Sequence, residues 1–112
     1  MTDLSQEFGF SIAQVDGHSN VRVTGEIDLA TATELRQRLN SVIAAGTGDD
    51  DLDLSDVTFL DSSGLGVLLA ARQELHDKHH RLTVRDPSKR LLRVFELSGT
   101  LDIMMDGRQA DG

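Results

Sequence analysis

The 112-residue chain has no cysteine, no tryptophan and no tyrosine, and its only proline is Pro87. Without cysteine it forms no disulfide and offers neither a thiolate nucleophile nor a Cys-based zinc site, a composition that fits a reducing compartment. Four phenylalanines are the whole aromatic complement, which leaves little for stacking on bases or sugars. Positive charge is scarce as well: 11 Lys and Arg stand against 19 Asp and Glu, for a formal net charge of −8. Nucleic acid phosphates demand a basic surface, so this balance argues against direct nucleic-acid binding. No apolar run approaches the length of a bilayer. The opening residues Met1-Thr2-Asp3-Leu4-Ser5-Gln6-Glu7 hold neither the basic nor the apolar part of a secretory signal. The expectation is a soluble cytoplasmic protein without membrane contact.

What is present reads as alternating elements of one domain. Phe8, Phe10 and Ile12 alternate with Gly9, Ser11 and Ala13, the period of a half-buried strand. Asp16-Gly17 is a hairpin turn, because both positions tolerate positive φ. Val21 and Val23 form the return strand, which Gly25 ends. Leu29, Ala32, Leu35, Leu39 and Val42 or Ile43 then fall on one helical face. Either Thr31 with Glu34 forms a capping box there, or Asp28 is the N-cap. Gly46 and Gly48 stop that helix.

Leu52 and Leu54 mark a short strand after Asp49-Asp50-Asp51, and the acidic stretch Asp49 to Asp53 is expected to be a solvated loop. Val57, Phe59 and Leu60 add apolar weight before the next turn. A second helix runs from Gly64 to about His79, with Leu65, Leu68, Leu69, Arg72 and Leu75 or His76 on one side. Leu82-Thr83-Val84-Arg85 is a strand. Asp86-Pro87-Ser88 opens a helix with Pro87 in its first turn, buried through Leu91, Leu92 and Phe95 and closed by Gly99. Leu101, Ile103, Met104 and Met105 form a last strand or short helix.

The order is therefore β-β-α-β-α-β-α, an α/β domain with a mixed, mostly parallel sheet and helices packed against it. It is drawn over residues 1–112, with a core at about 8–105 and frayed ends at 1–5 and 106–112. In such a sheet, ligands and partners meet the carboxyl ends of the strands. Two turns should reach that rim: Glu26-Ile27-Asp28, and Asp61-Ser62-Ser63-Gly64-Leu65-Gly66.

The second turn carries the most chemistry. Two hydroxyls precede two glycines and an apolar helix, so a serine stands at a helix start, where unpaired N–H groups and the positive end of the dipole lie. A serine nucleophile of hydrolase type lacks its G-x-S-x-G elbow, and His76, His79 and His80 are remote in sequence. A phospho-acceptor aspartate among Asp28, Asp53 and Asp61 also wants magnesium and a lysine, and Lys78 and Lys89 are poorly placed. The histidines have i, i+3, i+4 spacing for a metal, but a basic helix terminus explains them better. The phosphate-cradling G-x-x-x-x-G-K-[ST] motif is absent. No catalytic residue, metal or cofactor is expected, and the chain is not read as an enzyme.

The segment Asp61-Ser62-Ser63-Gly64-Leu65-Gly66-Val67-Leu68-Leu69 resembles the signature of anti-sigma factor antagonists, bacterial members of the STAS domain family. Val23-Thr24-Gly25-Glu26-Ile27-Asp28, Leu52 to Leu60 and Asp86-Pro87-Ser88 through Leu97-Ser98-Gly99 are similar to further blocks of that family, in its own order. The departure that matters is at Asp49-Asp50-Asp51, where the family usually has apolar residues, so that the central strand is expected to be short or its entry solvated.

The resemblance implies a protein that binds an anti-sigma factor serine kinase, frees the sigma factor, and lets go when it is phosphorylated, until a serine phosphatase resets it. It implies Ser62, the hydroxyl directly after the aspartate, as the phosphorylation site, with Ser63 as a helix cap. The expected partner-binding set is Glu26, Asp28, Asp61, Ser62, Ser63, Gly64, Gly66 and Val67. The amides of Gly64 to Gly66 are expected to tolerate the phosphate. The alternative within the fold is a STAS interaction module that is never phosphorylated, serving a larger signalling or transport assembly. The exposed edge strand would also suit a homodimer.

Overall fold

The computed structural model describes residues 7–15, 18–46 and 48–106. It contains strands β1 (Gly9–Val15), β2 (His18–Ile27), β3 (Asp50–Leu60) and β4 (Leu82–Arg85). Its helices are α1 (Leu29–Ala45), α2 (Ser62–Asp77), α3 (Lys89–Ser98) and α4 (Leu101–Asp106). The expected order holds, and the last apolar segment is the helix α4, so Asp106 closes an element instead of opening a tail. The Asp16-Gly17 turn and the ends at 1–5 and 107–112 lie outside the described residues.

The strands form one sheet in the order β1-β2-β3-β4. β1 pairs antiparallel with β2, and β2, β3 and β4 run parallel. Rows of residues cross the sheet in register. Ile12, Val21, Leu52 and Val84 form one row, and Ser11, Arg22, Asp53 and Arg85 the adjacent one. Side chains alternate between faces along a strand, so the first row faces the helices and the second faces away. All four helices contribute to the same core: Leu35 and Leu39 from α1, Leu68 and Leu75 from α2, Leu91 and Phe95 from α3, and Met104 from α4. The opposite face holds Ser11, Ala13, Asn20, Arg22 and Arg85, all exposed, with ion pairs Arg22–Asp56 and Arg85–Asp51.

β3 departs most from expectation. It is the longest strand, at 11 residues, and begins inside the acidic run. Its first residue, Asp50, pairs with Ser19 on β2 and Leu82 on β4. The alternation that buries Leu52 and Leu54 therefore buries Asp50 too, leaving it 2% exposed beside Ser19 at 1%. The run is held in place at both neighbours. The Ser19 N–H donates to the Asp49 carbonyl at 3.2 Å, the Asp50 N–H to the Arg81 carbonyl at 2.9 Å, and the Arg81 N–H to Asp49 Oδ1 at 2.9 Å. The solvated loop thus becomes the buried start of the central strand.

Two register shifts against β2, between Arg22 and Thr24 and between Gly25 and Glu26, reset the alternation further along β3. They keep Leu54, Val57 and Leu60 in the core and turn Phe59 outward, 41% exposed. Gly25 serves the same irregularity. It adopts φ +87°, and a Cβ there would collide with the Glu7 carbonyl and the Phe8 amide. At the far end, Ser88 caps α3 by accepting from the Leu91 N–H at 3.3 Å and donates to the Val57 carbonyl at 3.1 Å. Pro87 therefore stands one residue before the cap, outside the first turn. Among the described residues no helix is long and apolar enough to cross a membrane.

Burial raises the Asp50 pKa above the ordinary carboxylate value, a hydrogen bond with Ser19 opposes the rise, and Asp49 adds to it. One oxygen, Oδ1, has no hydrogen-bond partner among the described residues. A folded-state pKa above the unfolded one means that the native chain binds the proton more tightly. Stability from this group is thus lost as pH rises through the raised pKa. Asp50→Asn should therefore raise unfolding stability at neutral pH by about 1 kcal/mol. The gain should vanish once the pH falls below the ordinary carboxylate range. Urea titrations at the two pH values check both the sign and its pH dependence.

Candidate partner-binding rim

The parallel strands β2 and β3 end side by side. Ile27 and Leu60 are register partners, and the Asp61 N–H donates to the Ile27 carbonyl at 3.1 Å. Each strand passes directly into a helix through an aspartate. Asp28 Oδ1 accepts from the N–H groups of Ala30 at 3.0 Å and Thr31 at 3.1 Å. Asp61 Oδ1 accepts from those of Ser63 at 2.9 Å and Gly64 at 3.2 Å. The two junctions are copies of one device, an N-cap that satisfies donors the helix itself cannot.

Asp28 is thus the cap of α1. Its partner in the capping box is Thr31, whose hydroxyl accepts from the Asp28 N–H at 2.9 Å, and Glu34 instead pairs with Arg38. Asp61, and not Ser63, caps α2. Ser63 is the second helical residue and half-buried. Ser62 is the first residue of α2, as Leu29 is of α1, and both are exposed.

The capping geometry changes the expected anion site. The Gly64 N–H already points at Asp61, and the Leu65 N–H donates to the Asp61 carbonyl at 3.0 Å. These two donors are engaged by the protein, so Gly64 and Leu65 do not offer open amides to a phosphate. The carboxylates of Asp28, Asp61 and Glu26 all lie partly exposed along this rim.

The remaining expected residues divide by depth. Gly64 is buried, and a Cβ there would fall 2.5 Å from Ile27 Cγ2 and from Leu60 Cδ1. Its lack of a side chain serves the packing of α2 on both strands. Val67 is 3% exposed and belongs to the core, so neither residue is part of the surface. Gly66 is exposed, and a Cβ there would meet no atom within 4 Å. Two surface residues escaped the sequence reading: Leu29, 75% exposed although its spacing fits the buried face of α1, and Phe59. Leu29 is the first residue of α1, at the exposed start of the helix. Phe59 is turned out by the bulges, which simple alternation does not reveal.

Residues 10–105 match the family model described as "Mlab, STAS domain". The chain belongs to the STAS domain family. It is 33% identical over 89 residues to the anti-sigma-B factor antagonist of Staphylococcus epidermidis, covering 80% of this chain and 82% of that one. An anti-sigma factor antagonist from Mycobacterium paratuberculosis is 33% identical with TM-score 0.74, over 95% of this chain and 90% of the other. The Bacillus protein SpoIIAA, at 25% identity, superposes in both of its forms. The unphosphorylated form has TM-score 0.75 over 92% of this chain and 90% of that one, and the phosphorylated form 0.69 over 92% and 94%. The mixed four-stranded sheet of this STAS domain is the fold of those neighbours.

The two glycines of the STAS signature should behave in opposite ways. Gly64→Ala forces a methyl against the buried Ile27 side chain and should cost about 1–3 kcal/mol. Gly66→Ala adds a methyl in open space within a helix and should stabilise by up to ~1 kcal/mol. Thermal unfolding of both variants checks the contrast.

Proposed function

We propose that this STAS domain is an anti-sigma factor antagonist. In this reading its rim binds an anti-sigma factor serine kinase and so frees a sigma factor, and phosphorylation of Ser62 ends the complex. The observation that carries the reading is the exposed Ser62 hydroxyl at the first position of α2, on a rim with three carboxylates and two outward apolar side chains. The relatives named as anti-sigma factor antagonists support it, as does the existence of SpoIIAA in both phosphorylated and unphosphorylated forms.

The chemistry follows from these groups. Unmodified, Leu29 and Phe59 supply apolar contact, while Glu26, Asp28, Asp61 and Ser62 supply hydrogen bonds and charge. Gly66 lets the partner backbone come close. Ser63, Gly64 and Val67 hold this surface from beneath. The kinase transfers the γ-phosphoryl group of ATP to the Ser62 oxygen, releasing ADP and the hydroxyl proton, and this chain contributes the acceptor hydroxyl and no catalytic group. A phosphate brings about −1.5 to −2 charges. With the Ser63 and Gly64 amides already given to Asp61, its charge is left facing the rim carboxylates and the partner. A few kcal/mol of repulsion and desolvation is reasonable at an effective dielectric near ~20, and each ~1.4 kcal/mol is tenfold in affinity. The fold needs no rearrangement. A serine phosphatase removes the group and restores binding. On this reading the domain works in the cytoplasm and needs no cofactor.

Calorimetry against the cognate anti-sigma factor tests the proposal. Ser62→Ala should bind like the unmodified chain and take up no phosphate from kinase and ATP. Ser62→Asp should fold normally and bind at least about tenfold more weakly. Leu29→Asp should weaken binding by about 1–2 kcal/mol without a change in unfolding midpoint, since this side chain is outside the core. Full affinity in Ser62→Asp contradicts the switch. Full affinity together with no phosphate on the unmodified chain points instead to an interaction module that is never phosphorylated.

A further inference from the structure

The two edges of the sheet are built differently. β4 is four residues long, is ended by Asp86 at φ 47°, and is flanked by α4. β1, on the opposite edge, runs for seven residues, Gly-Phe-Ser-Ile-Ala-Gln-Val, without a charged residue or a proline. Natural edges are blunted by lysine, proline, bulges or cover. Among the described residues β1 has none of these: its register with β2 is unbroken from Gly9 to Val15, and Ser11 to Gln14 are exposed. The helix layer also stops short of it. Ile12 stands in a row with buried Val21, Leu52 and Val84, yet is 49% exposed. Between β1 and α1 lies an open groove of about 690 Å³, lined by Phe10, Ile12, Thr33, Glu34, Gln37 and Arg38 among others.

We propose that β1 is a self-association edge. Two copies of this chain pair antiparallel through Gly9–Val15 about a two-fold axis at Ile12, joining their four-stranded sheets into one. The occupant is a second copy for reasons of symmetry and charge. Pairing about Ile12 sets Ile12 against Ile12, Ser11 against Ala13, Phe10 against Gln14 and Gly9 against Val15, and no pair opposes like charges. The two Ile12 side chains meet on the helix-covered face and close the uncovered ends of both core rows. Two chains of net charge −8 repel in general, but the acidic strand β3 lies two strands in from this edge. In the groove, Glu34 and Arg38 already neutralise each other at 3.0 Å, with the guanidinium 5.7 Å from the Phe10 ring centre.

The axis stands perpendicular to the sheet, so the two Ser62 rims point to opposite ends of the pair and stay uncovered. Self-association and the proposed switch are therefore independent, and neither rests on the other.

Sedimentation equilibrium of the full chain, from micromolar to near-millimolar protein, tests this edge. The expected limit is twice the 12.2 kDa chain mass. Ile12→Lys should weaken association by roughly tenfold or more, with an unchanged circular dichroism spectrum. An equal mixture of Ile12→Lys and Ile12→Glu should restore it, a rescue that misfolding does not produce. Ser62→Asp should associate like the unmodified chain. Three results overturn the proposal: an unmodified chain that stays monomeric throughout, Ile12→Lys that associates normally, or a charge-swapped mixture that stays at the mass of one chain.

Discussion

The carboxylate of Asp61, held across the amides of Ser63 and Gly64, is the contact on which the rest of the rim depends. It fixes where β3 stops and α2 begins, and so fixes Ser62 as the first helical residue, outside the core. The same contact uses helix-start donors that would otherwise welcome an anion. A group added to Ser62 is consequently met by carboxylates more than by free amides. Asp28 repeats the arrangement one strand away, and the bond from the Asp61 N–H to the Ile27 carbonyl ties the two junctions together. Gly64 completes the joint by letting α2 lie directly on Ile27 and Leu60.

A one-sided sheet divides the remaining work. Its covered face carries nearly all the buried apolar residues, and the helices approach from that side. The carboxyl ends of β2 and β3 are left to present side chains, and among the described residues nothing covers the β1 edge. Stability and surface chemistry are thereby separated. Gly64, Val67 and Ile27 lie buried under the rim, and the residues proposed to define its chemistry (Ser62, Leu29, Phe59, Glu26) are exposed or half-buried. Asp50, at the other end of β3, is the exception: an ionisable carboxyl is buried where an apolar side chain would cost less.

The order of elements was legible because period-two and helical patterns are strong in β1, β2, α1 and α2, and because the Asp61 signature stands at one of their boundaries. Asp28 was legible as one of two alternatives for the α1 cap. What stayed hidden depended on non-local pairing. Three successive aspartates read as solvent-facing, yet a ladder with both β2 and β4 draws Asp50 into the core. Two bulges reverse Phe59, and no local pattern marks a bulge. Glycine is ambiguous in sequence, so Gly64, filled by its neighbours, and Gly66, open to solvent, looked alike. Val67 lies in a segment, Val67 to Ala71, that is apolar all round, and only the packed helix shows which side is covered.

Binding of the Ser62-phosphorylated chain and the unmodified chain to the anti-sigma factor, compared across a series of salt concentrations, tests the central claim most directly. If phosphate acts as charge on an exposed, unrearranged rim, the affinity ratio between the two forms shrinks steadily as salt screens it. The amide spectrum of the phosphorylated chain then changes only around Ser62 and its neighbours on the rim. An affinity ratio indifferent to salt, with amide shifts spread through the core, would contradict the account.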